Sequence, residues 1–152
     1  MATFFNRATL TYGTNSITSN TVSGEIVQTL AVAKNASADE YFSGSVLTYA
    51  ISLVNSGTTA LTGLTLTDDL GEFSLSETLS VRPLDYVPDS ILYYVNGVLQ
   101  PTPTVTVGTN VVVSGLAIPA NGYAQLIYQV RVNEFAPVAV GGEIVNTVTA
   151  TI

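Results

Sequence analysis

The chain has 152 residues and a mass of 15.9 kDa, room for one domain with an extension. It contains no cysteine, no histidine, no tryptophan and a single lysine. A disulfide, a thiolate nucleophile, an imidazole base and a sulfur- or imidazole-ligated metal are therefore excluded. Eleven acids against four bases give a net charge of -7, which repels phosphate backbones and anionic lipid and argues against nucleic acid and membrane surfaces as partners.

Charged residues make up 10% of the chain and hydrophobic ones 47%, but the apolar positions are interrupted by Thr and Ser, and no run reaches the roughly 18 residues of a membrane span. Val and Thr fill 41 positions, and such β-branched side chains suit a pleated sheet better than a helix. The composition is all-β. Starting at the N-terminus, MATFFNRATL has neither the apolar core nor the small-residue cleavage site of a secretory signal. Alternation over residues 4–12 puts Phe4, Asn6, Ala8, Leu10 and Tyr12 on one face, as in a strand. The polar stretch GTNSITSNTVSG at 13–24 reads as a flexible linker with a reach of about 40 Å at roughly 3.3 Å per residue. The division expected is residues 1–22 as strand and linker, and residues 23–152 as the globular domain.

Further along, Lys34 falls in phase with Ile26, Leu30 and Val32. Residues 46–54 alternate, with Leu47, Tyr49, Ile51 and Leu53 on one face, the pattern of a half-buried strand. After the turn NSGTT, Leu64, Leu66 and Asp68 share a face and the strand ends in DDLGEF. Strands are predicted at 77–82, 91–95, 104–107, 110–114 and 123–132, the last with Ala124, Leu126, Tyr128, Val130 and Val132 inward. Asn96-Gly97 inside YVNGVLQ marks a tight hairpin. Tyr93 and Tyr94 fall on opposite faces, which weakens a sugar-stacking platform built with Tyr86. Asp68, Asp69 and Glu72 lack the spacing of an EF-hand and read as an acidic turn, so no metal or cofactor is expected. The acids fall mostly in turns with no cleft-flanking pair, so no enzyme activity is expected either.

A repeat links the two ends: GEIVQT at 24–29 returns as GEIVNT at 142–147, which predicts a strand-forming unit at both places. More loosely, FFNRATLTY at 4–12 echoes IVNTVTATI at 144–152, as if the chain carried two copies of its closing strand. LAVAKNAS, then SGSVLTYAISLVNSGTTALTGLTLTDDL, then GGEIVNTVTATI resemble the conserved repeat domain called domain of unknown function eleven, over about residues 28–152. Lys34, Tyr49 to Gly57, Asp68 and Asn146 match its first-strand lysine, its strand and turn, its strand-ending Asp and its closing-strand Asn. The resemblance implies an immunoglobulin-like β-sandwich of bacterial surface proteins, without established enzymatic activity. Unlike the tandem arrays of that family, this chain carries one copy, preceded by what resembles the closing strand of another.

Two functional expectations follow. A spare strand can pair with a neighbouring molecule's sheet, main-chain bonds giving affinity while Phe4, Phe5, Asn6, Ala8, Leu10 and Tyr12 supply the contact. Donor and acceptor surfaces would differ, so the contact would propagate into a homopolymer. The alternative is that the strand folds back onto its own sandwich. Secondly, Lys34, Asp68 and Asn146 are all in phase with core positions, and this trio is similar to the one that bacterial pilins and adhesins join by a Lys–Asn isopeptide bond. Asn6 could replace Asn146 between subunits, and the plainer reading is an exposed lysine with a turn-capping Asp. The combined expectation is the structural subunit of an extracellular fibre on a cell or spore surface, with a monomeric adhesin or carbohydrate-binding module as the alternative.

Overall fold

A computed structural model describes residues 2–26 and 29–152. Four N-terminal strands, β1 (Ala2–Asn6), β2 (Thr9–Tyr12), β3 (Asn15–Thr18) and β4 (Val22–Ile26), precede the sandwich. The sandwich begins with β5 (Leu30–Ala36), β6 (Val46–Asn55) and β7 (Leu61–Asp68), followed by the small hairpin β8 (Phe73–Ser76) and β9 (Leu79–Val81). Then come β10 (Leu84–Tyr86), β11 (Leu92–Val95), β12 (Val98–Leu99), β13 (Thr104–Val107), β14 (Val111–Ile118), β15 (Gly122–Val132) and β16 (Val148–Thr151). One sheet has the order β12-β11-β15-β6-β5 with β10 also on β15, and the other has the order β13-β14-β7-β16. Every pairing is antiparallel. The expected all-β sandwich is the fold observed.

The period-two pattern explains the core. Leu47, Tyr49, Ile51 and Leu53 of β6 face Leu64 and Leu66 of β7, and Ala124, Leu126, Tyr128, Val130 and Val132 of β15 complete the layer, all buried. Each such leucine contributes about 1.5–3 kcal/mol by leaving water. β14 runs four residues beyond the predicted end at 114 because a bulge interrupts its alternation. Its register on β7 shifts between Val113 and Leu116, and Gly115 has φ +78°, so Val111 and Val113 before it and Leu116 and Ile118 after it all point inward. The Asn96-Gly97 hairpin forms as expected, with φ +47° and +80°, the left-handed pair that a two-residue turn requires.

Residues 13–24 are not a linker. β1 pairs with β4 (Phe4 opposite Gly24) and β2 with β3 (Leu10 opposite Ile17), so the N-terminus is a two-stranded ribbon turning at Gly13, φ +59°. Thr, Ile and Val at 14–22 give the returning arm strand character, which its polarity conceals. Neither does the strand lie on its own sandwich: its pairing partner is the ribbon's other arm. The hexapeptide repeat also takes two structures. Gly24–Ile26 belongs to β4, Val27 and Gln28 lie outside the described residues, and 142–147 is irregular chain leading into β16.

One buried polar side chain organises an end of the sandwich. Asn55 is 1% exposed; its Nδ2 donates to the carbonyls of Thr59 and Pro119, both at 2.9 Å, and Ile118 at 3.3 Å, while its Oδ1 accepts from Gly57 N–H at 3.0 Å. Asn55→Ala leaves these groups without their partner, and we expect a loss on the order of 3 kcal/mol in urea unfolding. Val54→Ala, on the exposed face of the same strand, should cost less than about 1 kcal/mol.

Candidate functional site

The strands converge on a buried polar cluster between the sheets. Lys34 extends inward from β5, the outer strand of one sheet, and its Nζ lies 2.6 Å from Oδ2 of Asp68 at the end of β7 in the other. Asp68 is 3% exposed. Its Oδ1 accepts from Leu70 N–H at 2.8 Å, and the Tyr128 hydroxyl of β15 donates to its Oδ2. A charge buried this deeply is tolerated only with such saturation by donors. The lysine ammonium also sits 4.4 Å from the centroid of the Tyr49 ring, a cation–π contact. Tyr49 packs at 6.0 Å from Tyr128, and Tyr128 at 6.3 Å from Tyr86, so the ion pair is enclosed by aromatic rings.

Asn146 reaches the same place from the chain entering β16. Val148 pairs with Asp68, Thr147 N–H donates to Asp69 Oδ1 at 2.9 Å, and Ile144, Asn146, Val148 and Ala150 are the half-buried positions of the segment. Both polar atoms of the Asn146 carboxamide are buried without a hydrogen-bond partner. The group lies close enough to the Tyr49 hydroxyl to favour its ionised form, against the larger effect of burial. The Tyr49 side chain thus stands between the two parts of the cluster, its ring under the Lys34 amine and its hydroxyl near the Asn146 carboxamide.

Burial depresses the Lys34 ammonium below its usual range, and the neighbouring Asp68 only partly offsets this. Burial likewise raises the Tyr128 phenol, reinforced by the Asp68 charge, and raises that of Tyr49. The other acids of this turn are occupied by the protein itself: Asp69 Oδ1 also accepts from Gly71 N–H at 2.9 Å, and Glu72 pairs with Arg82.

Lys34 and Asp68 are therefore brought together as the sequence pattern suggests, while Asn146 lies next to Tyr49, two residues before the Val148 that pairs with Asp68. Asn6, the alternative partner, is exposed on the ribbon. Phe4, Phe5, Ala8, Leu10 and Tyr12 are exposed there too, Phe5 by 70% and Tyr12 by 83%. The roles of Tyr49 and Tyr128 escape the sequence reading, although both sit at inward positions of central strands, where a hydroxyl needs a polar partner. The three tyrosines weighed as a sugar platform do not share an exposed face. Tyr93 is 7% exposed and its hydroxyl donates to the Ala117 carbonyl at 2.6 Å, while Tyr86 packs on Tyr128.

No family model matches this sequence, and no curated protein matches it. Among solved structures the chain is similar to the pilus backbone RrgB of Streptococcus pneumoniae, with 15% identity and a TM-score of 0.56 over 80% of this chain and 31% of that one. Against full-length RrgB pilus protein of the same organism the values are 14% and 0.57, over 86% of this chain and 23% of that one. The chain thus spans about a quarter to a third of those proteins. At this identity the likeness establishes the fold, an immunoglobulin-like β-sandwich.

Phenols held neutral by burial make stability pH-dependent. Folded pKa values raised above the unfolded value of 10.0 leave stability intact below pH 10 and remove it as pH rises further, by about 1.4 kcal/mol per pH unit for the strongly raised Tyr128. In urea unfolding between about pH 10.5 and 11.5, Tyr128→Phe should flatten the decline by about that amount; an unchanged slope would contradict the assignment.

Proposed function

We propose that this chain is the structural subunit of an extracellular bacterial fibre or appendage on the cell or spore surface. It polymerises by lending its N-terminal ribbon to a neighbouring copy, and it is stiffened by an amide bond between Lys34 and Asn146. The ribbon carries the assembly reading. An isolated two-stranded hairpin is marginal in water, yet this one exposes Phe4 by 51%, Leu10 by 68% and Tyr12 by 83%. Such a ribbon gains most by covering these side chains with another molecule, and a donor surface unlike its acceptor propagates instead of closing. The shared fold with a pilus backbone and the resemblance to surface-protein repeats support the same role. A carbohydrate-binding module, the alternative, needs an exposed aromatic platform. The open cleft of about 630 Å³ beside Pro101, Pro103 and Ile118 offers Tyr93 as its aromatic residue, and Tyr93 is buried and already bonded.

The buried Asn146 carboxamide, which completes no hydrogen bond and lies against the same Tyr49 that the single lysine packs on, supports the amide. A proton passes from the Lys34 ammonium to Asp68, whose acid form then polarises the carboxamide. The freed amine attacks Cγ of Asn146; the Nζ–Cγ bond forms and the Cγ–Nδ2 bond breaks. Nδ2 departs with the remaining protons as ammonium, returning Asp68 to its carboxylate. The cross-link closes a loop of roughly a hundred residues and, by chain entropy, stabilises the fold by about 4–5 kcal/mol, as for a disulfide of that span.

Intact mass spectrometry should find the protein about 17 Da below the mass of its sequence, with the full mass restored in Lys34→Ala, Asp68→Ala and Asn146→Ala. An undiminished mass rules out the intramolecular bond. Removing residues 1–26 should leave a folded monomer by circular dichroism and abolish filaments in negative-stain micrographs. Filaments from the shortened chain would count against ribbon exchange.

A further inference from the structure

The acceptor surface can be located, on the premise that the ribbon docks on a second copy. The ribbon joins the sandwich at Leu30, opposite Asn55, the end at which β6 finishes. The connections 37–45 and 133–147 lie at the other end, where β5 and β15 finish, and they are tied together by a hydrogen bond from the Tyr41 hydroxyl to the Pro137 carbonyl at 2.5 Å. Here too apolar side chains are left in water: Phe42 is 74% exposed, Val138 68% and Val140 109%. Apolar patches of this kind mark interaction sites. Donor and acceptor at opposite ends is the arrangement an open, head-to-tail polymer requires.

Charge selects the partner. Residues 37–45 and 133–147 contain Asp39, Glu40, Glu134 and Glu143 and no basic residue. Asp39 and Glu40 line a pocket of about 280 Å³ against Pro137 and Val138. Of the four basic residues, Lys34 is paired with Asp68, Arg82 with Glu72, and Arg131 donates to the Gly44 carbonyl. Arg7, exposed at the bend between β1 and β2, makes no ion pair or side-chain hydrogen bond among the described residues. Copies carrying -7 each repel one another, so a stable contact needs opposite charge at its centre. We infer that the ribbon of one copy seats Arg7 against Asp39 and Glu40 of the next, with Phe5 covering the Val138–Val140 rim.

Because the chain has no cysteine, single-cysteine full-length variants report the contact directly. Under mild oxidation, Arg7→Cys mixed with isotope-labelled Glu40→Cys should give a heterodimer at least fivefold more abundant than Arg7→Cys with Thr106→Cys on the outer strand β13. In a second arm, Arg7→Glu should abolish filaments, as should Glu40→Arg, and the two substitutions combined in one chain should restore them. If wild type polymerises while Arg7→Glu polymerises equally well, or if cross-linking favours Thr106→Cys, the acceptor assignment falls and the fibre reading stands. A wild-type chain that stays monomeric in solution and in micrographs overturns both.

Discussion

The bond between Lys34 Nζ and Asp68 Oδ2 is the interaction on which the two sheets depend. It joins an outer strand of one sheet to an inner strand of the other across the hydrophobic layer. Two charges taken out of water are costly, and their attraction repays that cost only when the remaining valences are filled. Asp68 achieves this with Tyr128 and the Leu70 amide, Lys34 with the face of Tyr49. The turn after β7, the central strands β6 and β15 and the entry to β16 are thereby held in one geometry. Asn146 is the exception: neither polar atom of its buried carboxamide completes a hydrogen bond, although the Tyr49 hydroxyl lies beside it.

Much of the sandwich is legible in the sequence because half-buried strands enforce strict alternation, and β6 and β15 alternate over their whole length. Asp68 is readable in the same way, being in phase with Leu64 and Leu66. Legibility fails where local chemistry breaks the period. The bulge at Gly115 hides half of β14, and the polar returning arm of the ribbon looks like a linker because neither of its faces is buried. Leu70 is 4% exposed although it sits in an acidic turn, since a φ of +55° swings it back into the core. The cluster is half legible: phase finds Lys34, Asp68 and Asn146, but the closing of Tyr128 on Asp68 depends on register between distant strands, which periodicity does not encode.

The N-terminal ribbon and the sandwich solve opposite problems with similar residues. In the sandwich, β-branched and aromatic side chains find a second sheet to cover them. In the ribbon they have only the opposite arm, and Phe4 folds across Gly24, where any Cβ would strike its ring at 2.6 Å. Covering a glycine with an aromatic across the ladder is a way of firming a strand pair that has no layer beneath it. The ribbon is thus organised well enough to be presented as a unit while its apolar surface stays unsatisfied.

The lengths of the outermost strands carry a further consequence. β12 has two residues, and β13 and β16 have four each, too short to template a long intruding strand. Among the described residues, 31–36 of β5 form the longest outer margin, and the inward-turned Lys34 lies within it. A copy that tried to widen this sheet by adding itself alongside would meet a lysine already committed to the interior and, on the outer face, the small residues Ala31 and Ala33, with Val32 as the large apolar side chain left exposed on the strand. Sideways growth of the kind that turns a β-rich protein into amorphous aggregate is therefore disfavoured by the residue that locks the sheets together.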